Sequence, residues 1–554
     1  MSNTKSPVSR ILNLLKLERS EITAVYFYAI LNGLIQLSLP VGIPAIIGYV
    51  LGASMRASLV VLITLVVLGV LIAGIMQINQ MKIIEKIQQK LFVRYSLAFA
   101  VHLPGLDLKK NDQVYFPELV NRFFDVPILQ KSLSKILLEI PTAVIQIFFG
   151  LVLLCFYHPA FILFGIILIS ILYLILHYTG GRGLETSLEK SKYKYKVAAW
   201  LEEMARVIRS IKLSRNNDLH LGRADQEVGR YLDARNKHFQ VLLFQFNVLV
   251  VFKTVITAAM LIVGTLLMVR QQLTVGQFIA AEIVILLVLN SVEKLIINLG
   301  SVYDTLTAVE KVSEITDKPL EKTGTVQLPV TEEGLKLEMK DVSFGYTADK
   351  MVVQDINLTI QPGQKICIRG KDSSGKSTLL KLMTGSYTDF KGSILIDDVP
   401  VGNYNLDSLR AQTGVLLGQQ DIFNGTLFEN ISLGNEEISL ADVKECVRQS
   451  GLQDYIATLP EGYNSMLDPT GRRLPRSVVQ KILMARALAG KPRLLLLEEP
   501  WLYDGDEQKE KLMNHLLQMT GTTVVVVTNH PGYAARCQQV IELNENGQLT
   551  MQAS

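Results

Sequence analysis

The run GKDSSGKST, Gly370 to Thr378, has the spacing G-x-x-x-x-G-K-[ST] and lies between the apolar KICI and the helix-forming LLKLM. In that setting a strand ends, a glycine-rich turn presents backbone N–H groups, and a helix begins with its positive end at the turn, which together cradle phosphate. Gly370 and Gly375 let the backbone come close, and Ser373, Ser374 and Thr378 belong to the same cradle. Lys376 is placed to reach the outer phosphates, and Ser377 offers a hydroxyl to Mg2+. Such a loop works with a carboxylate at the end of a neighbouring buried strand, to hold the metal, and with an acid or base to handle water. LLLLEE, ending in Glu498 and Glu499, supplies both. Two glutamates opening a helix would also suit its dipole, but beside an intact phosphate loop the chemical reading outweighs that one.

These residues need a scaffold, and the second half of the chain has the pattern of one. KICIRG, GSILID, LLLLEE and TVVVVT are short apolar runs separated by helical stretches, which predicts a largely parallel sheet covered on both faces, an α/β domain. Ahead of it, residues 316–335 (TDKPLEKTGTVQLPVTEEGL) combine prolines, glycines and charges without periodicity, as a linker does.

The first half has a different character. Six apolar stretches, at about 23–52, 58–77, 136–157, 159–178, 241–269 and 275–300, are each long enough to cross a hydrocarbon core that needs ~20 helical residues. About 58 residues separate the second from the third and about 62 the fourth from the fifth, whereas the other gaps are short. The two long connections are rich in Lys and Arg, from Lys82 to Arg122 and from Lys190 to Arg215, so the positive-inside rule puts them and the N-terminus in the cytosol. MKIIEKIQQKLFVRYSLAFAVH and VAAWLEEMARVIRSIKL have helical periodicity, so each connection predicts a pair of stalks reaching roughly 40 Å below the membrane. The stalks turn near 105–112 and 212–220, where the chain is polar and rich in breakers.

Bulk composition agrees with this division. A chain of 554 residues suggests about two to four folding units. Hydrophobic residues make up 49% and charged ones 19%, with a mean hydropathy of +0.29, too apolar for a wholly soluble protein. Lys and Arg number 55 against 51 Asp and Glu, so no general basic field recommends nucleic acid as a partner. Cys155, Cys367, Cys446 and Cys537 show neither CxxC nor ligand spacing, which points away from a disulfide frame or a zinc site and fits a reducing compartment. The N-terminal basic segment lacks a short h-region with a cleavage site and is expected to be a retained cytosolic elbow, with no peptidase domain ahead of the first span.

Six spans with two cytosolic stalks, followed by the phosphate loop and LLLLEE, resemble a half-transporter of the ABC exporter family, with the type I exporter fold. The resemblance covers nearly the whole chain. It implies an α-helical six-span transmembrane domain with long cytosolic extensions over residues 1–315, a linker over 316–335, and an α/β P-loop NTPase domain over 336–554. VSFGY resembles the family's opening strand and places Tyr346 where an aromatic ring stacks on adenine. DIFNGTLFENI and LPEGYNSML resemble the segments after the Q-loop and before the signature, and TVVVVTNH ends at the switch histidine, His530. The resemblance implies ATP and Mg2+, with Glu499 and His530 acting on water and the γ-phosphate, and a multi-pass protein of the plasma (inner) membrane. It implies as partners the bilayer and a second half-transporter chain, as homodimer or heterodimer.

Four places depart from the family pattern. At the Q-loop spacing the chain has Gly418, so Gln419 is the expected substitute as metal and catalytic residue, with Gln420 next. Glu498 stands where an aspartate holds the metal, and its extra methylene moves the carboxylate by roughly 1.5 Å unless the backbone yields, so Mg2+ handling is expected to weaken. WLYDGD does not match the serine-containing D-loop. Most consequential, Leu474 to Val478 replace the signature LSGGQ, with Pro475 at the serine and Arg476 and Ser477 at the glycines. Pro475 lacks hydroxyl and N–H, and Arg476 adds bulk where the family brings backbone close to the γ-phosphate held by the opposite subunit, although its guanidinium could meet phosphate. The expectation is a slowed or asymmetric machine.

Clues to cargo are fewer. Ionisable groups inside spans suggest function: Lys253 and Glu282 are the central cases, expected not to pair, whereas Glu293 and Lys294 are expected to be solvated near the cytosol. FPELVNRFFDVP in the first stalk is similar to exporters of peptides, proteins or bacteriocin-like cargo, often working with an adaptor across the envelope; drug, lipid or glycolipid export stays open. The rival reading is a nucleotide-binding membrane regulator or scaffold with negligible turnover.

Overall fold

The computed structural model describes residues 6–51, 57–112, 114–214, 218–347, 350–418, 420–467 and 474–552. Eleven of its helices come first: α1 Pro7–Leu17, α2 Arg19–Gln36, α3 Ser38–Leu51, α4 Ala57–His102, α5 Phe116–Val120, α6 Asp125–Tyr157, α7 Ala160–Arg206, α8 Ile208–Leu213, α9 Leu219–Val269, α10 Val275–Ile297 and α11 Leu299–Thr316. Six helical segments among the described residues are long and apolar enough to cross a membrane, the first being Arg19–Val50 and the last Val275–Thr316. The first span is broken between α2 and α3, and α3 carries Pro44 inside it, which removes one intrahelical donor. α4, α7 and α9 run unbroken from span into stalk, 46, 47 and 51 residues long. The first stalk's helix ends at His102 and is followed by turns over 103–112, within the breaker-rich stretch; the second breaker-rich stretch lies partly outside the described residues.

By its contacts the chain divides into two units, Met1–Pro104 with Val114–Lys318, and Gly105–Gln113 with Pro319–Ser554. The first stalk's turn therefore clusters with the α/β part. Residues 319–335 are also tied down there: Leu106 bridges Leu320, Arg410 forms a two-pronged ion pair with Glu321 at 2.6 and 2.7 Å, and Leu328 and Leu335 are buried.

Within the helical unit, polar side chains meet one another where helices cross, since lipid offers no substitute partner. Gln146 on α6 donates to Gln36 on α2, and Ser291 on α10 donates to Gln146 at 2.8 Å. Gln245 on α9 donates to Thr179 Oγ1 on α7 (2.7 Å) and to Tyr303 Oη on α11 (3.0 Å). Lys253 pairs with Glu293 at 2.6 Å. This corrects the expectation that Glu293 is solvated: α9 and α10 run antiparallel from the same outer turn, so residues at equal depth meet. Glu282 lies higher on α10, its Oε2 buried without a partner among the described residues.

Gly183 on α7 faces the Tyr303 ring, where an added Cβ would lie 2.3 Å from Cζ. Overpacking costs ~1–3 kcal/mol, and here it would also push Tyr303 Oη off the Thr179 carbonyl (3.3 Å). Gly183→Ala is expected to lower the thermal unfolding midpoint of the detergent-solubilised protein by several degrees; an unchanged midpoint would show that the ring has room to move.

The described residues of the α/β unit form two sheets. β1 Leu337–Phe344, β2 Val353–Ile360, β4 Lys391–Ile396 and β5 Val399–Pro400 form an antiparallel sheet in the order β2-β1-β4-β5. β3 Lys365–Gly370, β6 Thr413–Leu416, β7 Leu494–Glu498, β8 Thr523–Val527, β9 Gln539–Leu543 and β10 Leu549–Gln552 form the second, in the order β10-β9-β3-β8-β7-β6. It is parallel except for β10. KICIRG, LLLLE and TVVVV are thus its buried centre, as their continuous apolar runs predict. GSILID is not in it. That run is β4, whose last four residues alternate between partly and fully buried, the mark of a strand covered on one face, and it pairs antiparallel with β1.

Candidate functional site

Because β8 lies between β3 and β7, the segments leaving the C-terminal ends of these parallel strands come together at one edge, where open α/β sheets bind ligands. β3 leads into the phosphate loop and then α12, Lys376–Met383; β7 ends at Glu498; β8 leads to Thr528, Asn529 and His530. They line a cavity of about 290 Å3 that includes Ser373, Gly375, Lys376, Glu498, Glu499 and Asn529.

The loop's conformation demands its glycines. Gly370 has φ +154 and Gly375 φ +95, and a Cβ would meet the Leu543 carbonyl at 2.6 Å in one case and the Val352 carbonyl at 2.8 Å in the other. Ser373 also sits in the left-handed region, at φ +66. Lys376 Nζ donates to the carbonyls of Gly370 (2.7 Å) and Lys371 (2.5 Å), within the curve of the loop. Ser374 is buried and Thr378 shares a 3.1 Å hydrogen bond with the Tyr346 hydroxyl. Tyr346 stands in an aromatic cluster, 5.3 Å from Phe344 and 5.8 Å from Tyr387 between ring centres. Burial pushes the Tyr387 hydroxyl's pKa up. Lys109, from the first stalk's turn, sits 4.8 Å over the Phe344 ring and donates to Asp389 Oδ2 at 2.9 Å, which holds that carboxyl below its ordinary range.

The two glutamates take different environments. Glu498 is within hydrogen-bond contact of Ser377 Oγ, and its other oxygen accepts from the Gly418 N–H at 3.0 Å. The additional methylene is thus accommodated with both carboxylate oxygens engaged. A hydroxyl and a carboxylate, both hard oxygen donors, are a set that fits Mg2+. Glu499 has φ +42, unusual for a residue with a Cβ. Its Oε2 accepts from Thr528 Oγ1 at 2.9 Å and its Oε1 from the Asn529 N–H at 3.4 Å. Asn529 also bonds both ways with the Gly370 backbone, each at 3.2 Å, tying the β8 end to the phosphate loop.

His530 follows, its N–H donating to Thr528 Oγ1 at 3.2 Å, its ring 6.0 Å from that of Trp501. Trp501, from the segment that replaces the D-loop, is buried and also packs on Tyr533 at 5.1 Å. Asp504 in the same segment has its carboxyl raised by burial, against the pull of Lys481. Gln419 lies outside the described residues. Gln420 turns back on Leu417, accepting its N–H at 3.2 Å. The altered signature opens α13, Arg476–Leu488: Pro475 is its N-cap without a side-chain cap bond, and Pro475 and Arg476 are both exposed.

The structure thus brings together the phosphate loop, Glu498 and Glu499, with Tyr346 bonded to Thr378, whereas the His530 ring packs on Trp501 and is not part of the cavity lining. Sequence reasoning missed Thr528 and Asn529, which bond the Glu499 carboxylate, Trp501, whose ring packs on His530, and Gln480, whose Nε2 donates to the Glu499 carbonyl at 2.6 Å. Thr528 and Asn529 stand within the quoted TVVVVTNH, where a polar pair ending a buried strand is a readable signal; Gln480 on α13 has none, because its contact crosses the fold.

Comparison with known proteins gives this arrangement its family. The ABC transporter transmembrane region matches residues 22–292 and the ABC transporter domain residues 353–502. The Escherichia coli O157:H7 alpha-hemolysin translocation ATP-binding protein HlyB is 27% identical over 73% of this chain and 58% of its own length. The Bordetella pertussis cyclolysin secretion/processing ATP-binding protein CyaB is 28% identical over 59% of this chain and 46% of its own, and the Saccharophagus degradans ATP-dependent lipid A-core flippase 30% identical over 44% and 42%. The chain spans about half the length of the curated relatives it matches. The solved structure of a bacterial Atm1-family ABC exporter with ATP bound superposes with a TM-score of 0.83 over 97% of this chain and 96% of that one, at 19% identity, a likeness of fold. With an ABC transporter transmembrane region and an ABC transporter domain in one polypeptide, in that order, and with the fold of a solved ABC exporter, this chain belongs to the ABC transporter family.

Proposed function

We propose that this chain is the ATP-binding and ATP-hydrolysing subunit of a dimeric exporter that moves substrate out of the cytosol or the inner leaflet, as a multi-pass protein of the inner (plasma) membrane. The observation that carries this is the meeting of an intact phosphate loop with Glu499 across the cavity, the carboxylate held by Thr528 and Asn529. Lys376 and the loop N–H groups bind phosphate oxygens, Tyr346 stacks on the base, Glu499 takes the proton of the attacking water, and His530 orients the terminal phosphate. Mg2+, when bound, would be held by Ser377 and Glu498, with Gln419 as a further ligand, and would neutralise charge on the phosphate oxygens. The partner is a second half-transporter chain. Peptide or protein cargo, with an adaptor across the envelope, is supported by FPELVNRFFDVP and by relatives named for hemolysin translocation and cyclolysin secretion. Purified protein in lipid vesicles should release phosphate from ATP when Mg2+ is present and stop when it is chelated; no release above the chelated blank would overturn the reading.

A further inference from the structure

Glu499 is held in an unfavourable backbone conformation, so something must hold it. With φ +42, its Cβ crowds the following carbonyl, and such residues persist only where their surroundings over-determine them. Its N–H donates to the Val527 carbonyl at 2.9 Å, and the Leu502 N–H donates to its carbonyl at 3.2 Å. Both of those belong to the strand edge and the turn that Glu499 itself opens. The shortest bond to its backbone comes from elsewhere: Gln480 Nε2, on α13, donates to the Glu499 carbonyl oxygen at 2.6 Å.

We propose that Gln480 is a positioning residue for Glu499, fixing the peptide from which its carboxylate is aimed at the phosphate loop. The backbone geometry explains why the carbonyl is the right place to hold. Fixing the carbonyl on one side and the N–H on the other leaves the 499 peptide no freedom to flip to negative φ. In that setting the side chain points to Thr528 and Asn529, which take one carboxylate oxygen each. Gln480 lies one helical turn beyond Arg476, the first residue of α13. The start of the altered signature helix and the residue that activates water are therefore joined by one hydrogen bond, and a shift of α13 is felt at the carboxylate. This inference rests on the ATPase reading above and adds to it a residue that does not touch nucleotide.

The test compares two replacements with opposite hydrogen-bonding character in the full-length protein in lipid. Gln480→Glu keeps the size and removes the donor; Gln480→Lys changes the shape and keeps a donor. Lys376→Ala serves as the blank. Gln480→Glu is expected to lower kcat for ATP about fivefold with KM within twofold, and to speed amide hydrogen exchange across 499–504. Gln480→Lys is expected to recover at least half of the loss in kcat and to restore slow exchange. Gln480→Glu with the turnover and exchange of the parent, or both variants falling equally as lost packing would produce, overturns the inference while the Lys376→Ala blank stays inactive. A Lys376→Ala protein that turns over like the parent overturns the ATPase reading and this inference with it.

Discussion

Glu499→Gln is expected to lower ATP turnover at least about a hundredfold while leaving Mg-ATP binding within a few-fold, because a positioned general base contributes roughly 10²–10⁴ in rate. The replacement is nearly isosteric. Thr528 Oγ1 and the Asn529 N–H now donate to the two carboxylate oxygens at 2.9 and 3.4 Å; in the amide the oxygen can accept from the Asn529 N–H while the NH2 donates to the Thr528 hydroxyl oxygen, so the peptide stays where Val527, Leu502 and Gln480 hold it. The basicity that takes a proton from water is what disappears. Binding relies on other atoms, the loop N–H groups, Lys376 and Tyr346, and none of these touches Glu499. Phosphate release and retention of labelled ATP, measured side by side, separate the two effects. If turnover stays within threefold of the parent, Glu499 is not the base, and Glu498, already engaged by Ser377 and Gly418, becomes the residue to replace next.

The parts of this site that could be read beforehand are those whose geometry is local. Gly370 to Thr378 carries its strand, turn and helix within one short run, and LLLLEE carries its burial and its carboxylates together, so both stand where periodicity and residue type put them. Two features were out of reach because they depend on partners distant in the chain. GSILID has the β-branched character of a central strand, but only its pairing with β1 shows that one face is left open. Glu293 looked solvated because depth was counted along its own helix; the Lys253 ammonium on the neighbouring helix decides its environment. The conformation of Glu499 belongs to the same class. Nothing in EEPW demands a positive φ, which is set jointly by β8, by the turn to Leu502 and by Gln480.

Restoring the signature by Pro475→Ser, Arg476→Gly and Ser477→Gly is expected to raise ATP turnover at least tenfold, about 1.4 kcal/mol off the barrier. As the chain stands, α13 starts at Arg476, behind an N-cap proline that makes no side-chain bond to the first turn. A serine there could accept an orphan N–H of that turn and offer its own N–H and hydroxyl outward. Two glycines after it would let those donors approach a phosphate that the bulk of the exposed Arg476 side chain would hold off. Donors aimed at developing charge are worth up to 10²–10³ in rate each, so tenfold is the lower bound for a site that regains several. The geometry proposed for the dimer adds a sharper form of the test. If each site joins one chain's phosphate loop to the other chain's signature, a repaired chain carrying Lys376→Ala should still raise turnover when paired with an unmodified chain. A repaired chain with its own Lys376 intact, paired with a Lys376→Ala chain of unmodified signature, should not. Higher turnover in the second mixed dimer than in the first would mean that the word at 474–478 acts within its own chain, and the defect would then have to be sought in the link from α13 to Glu499.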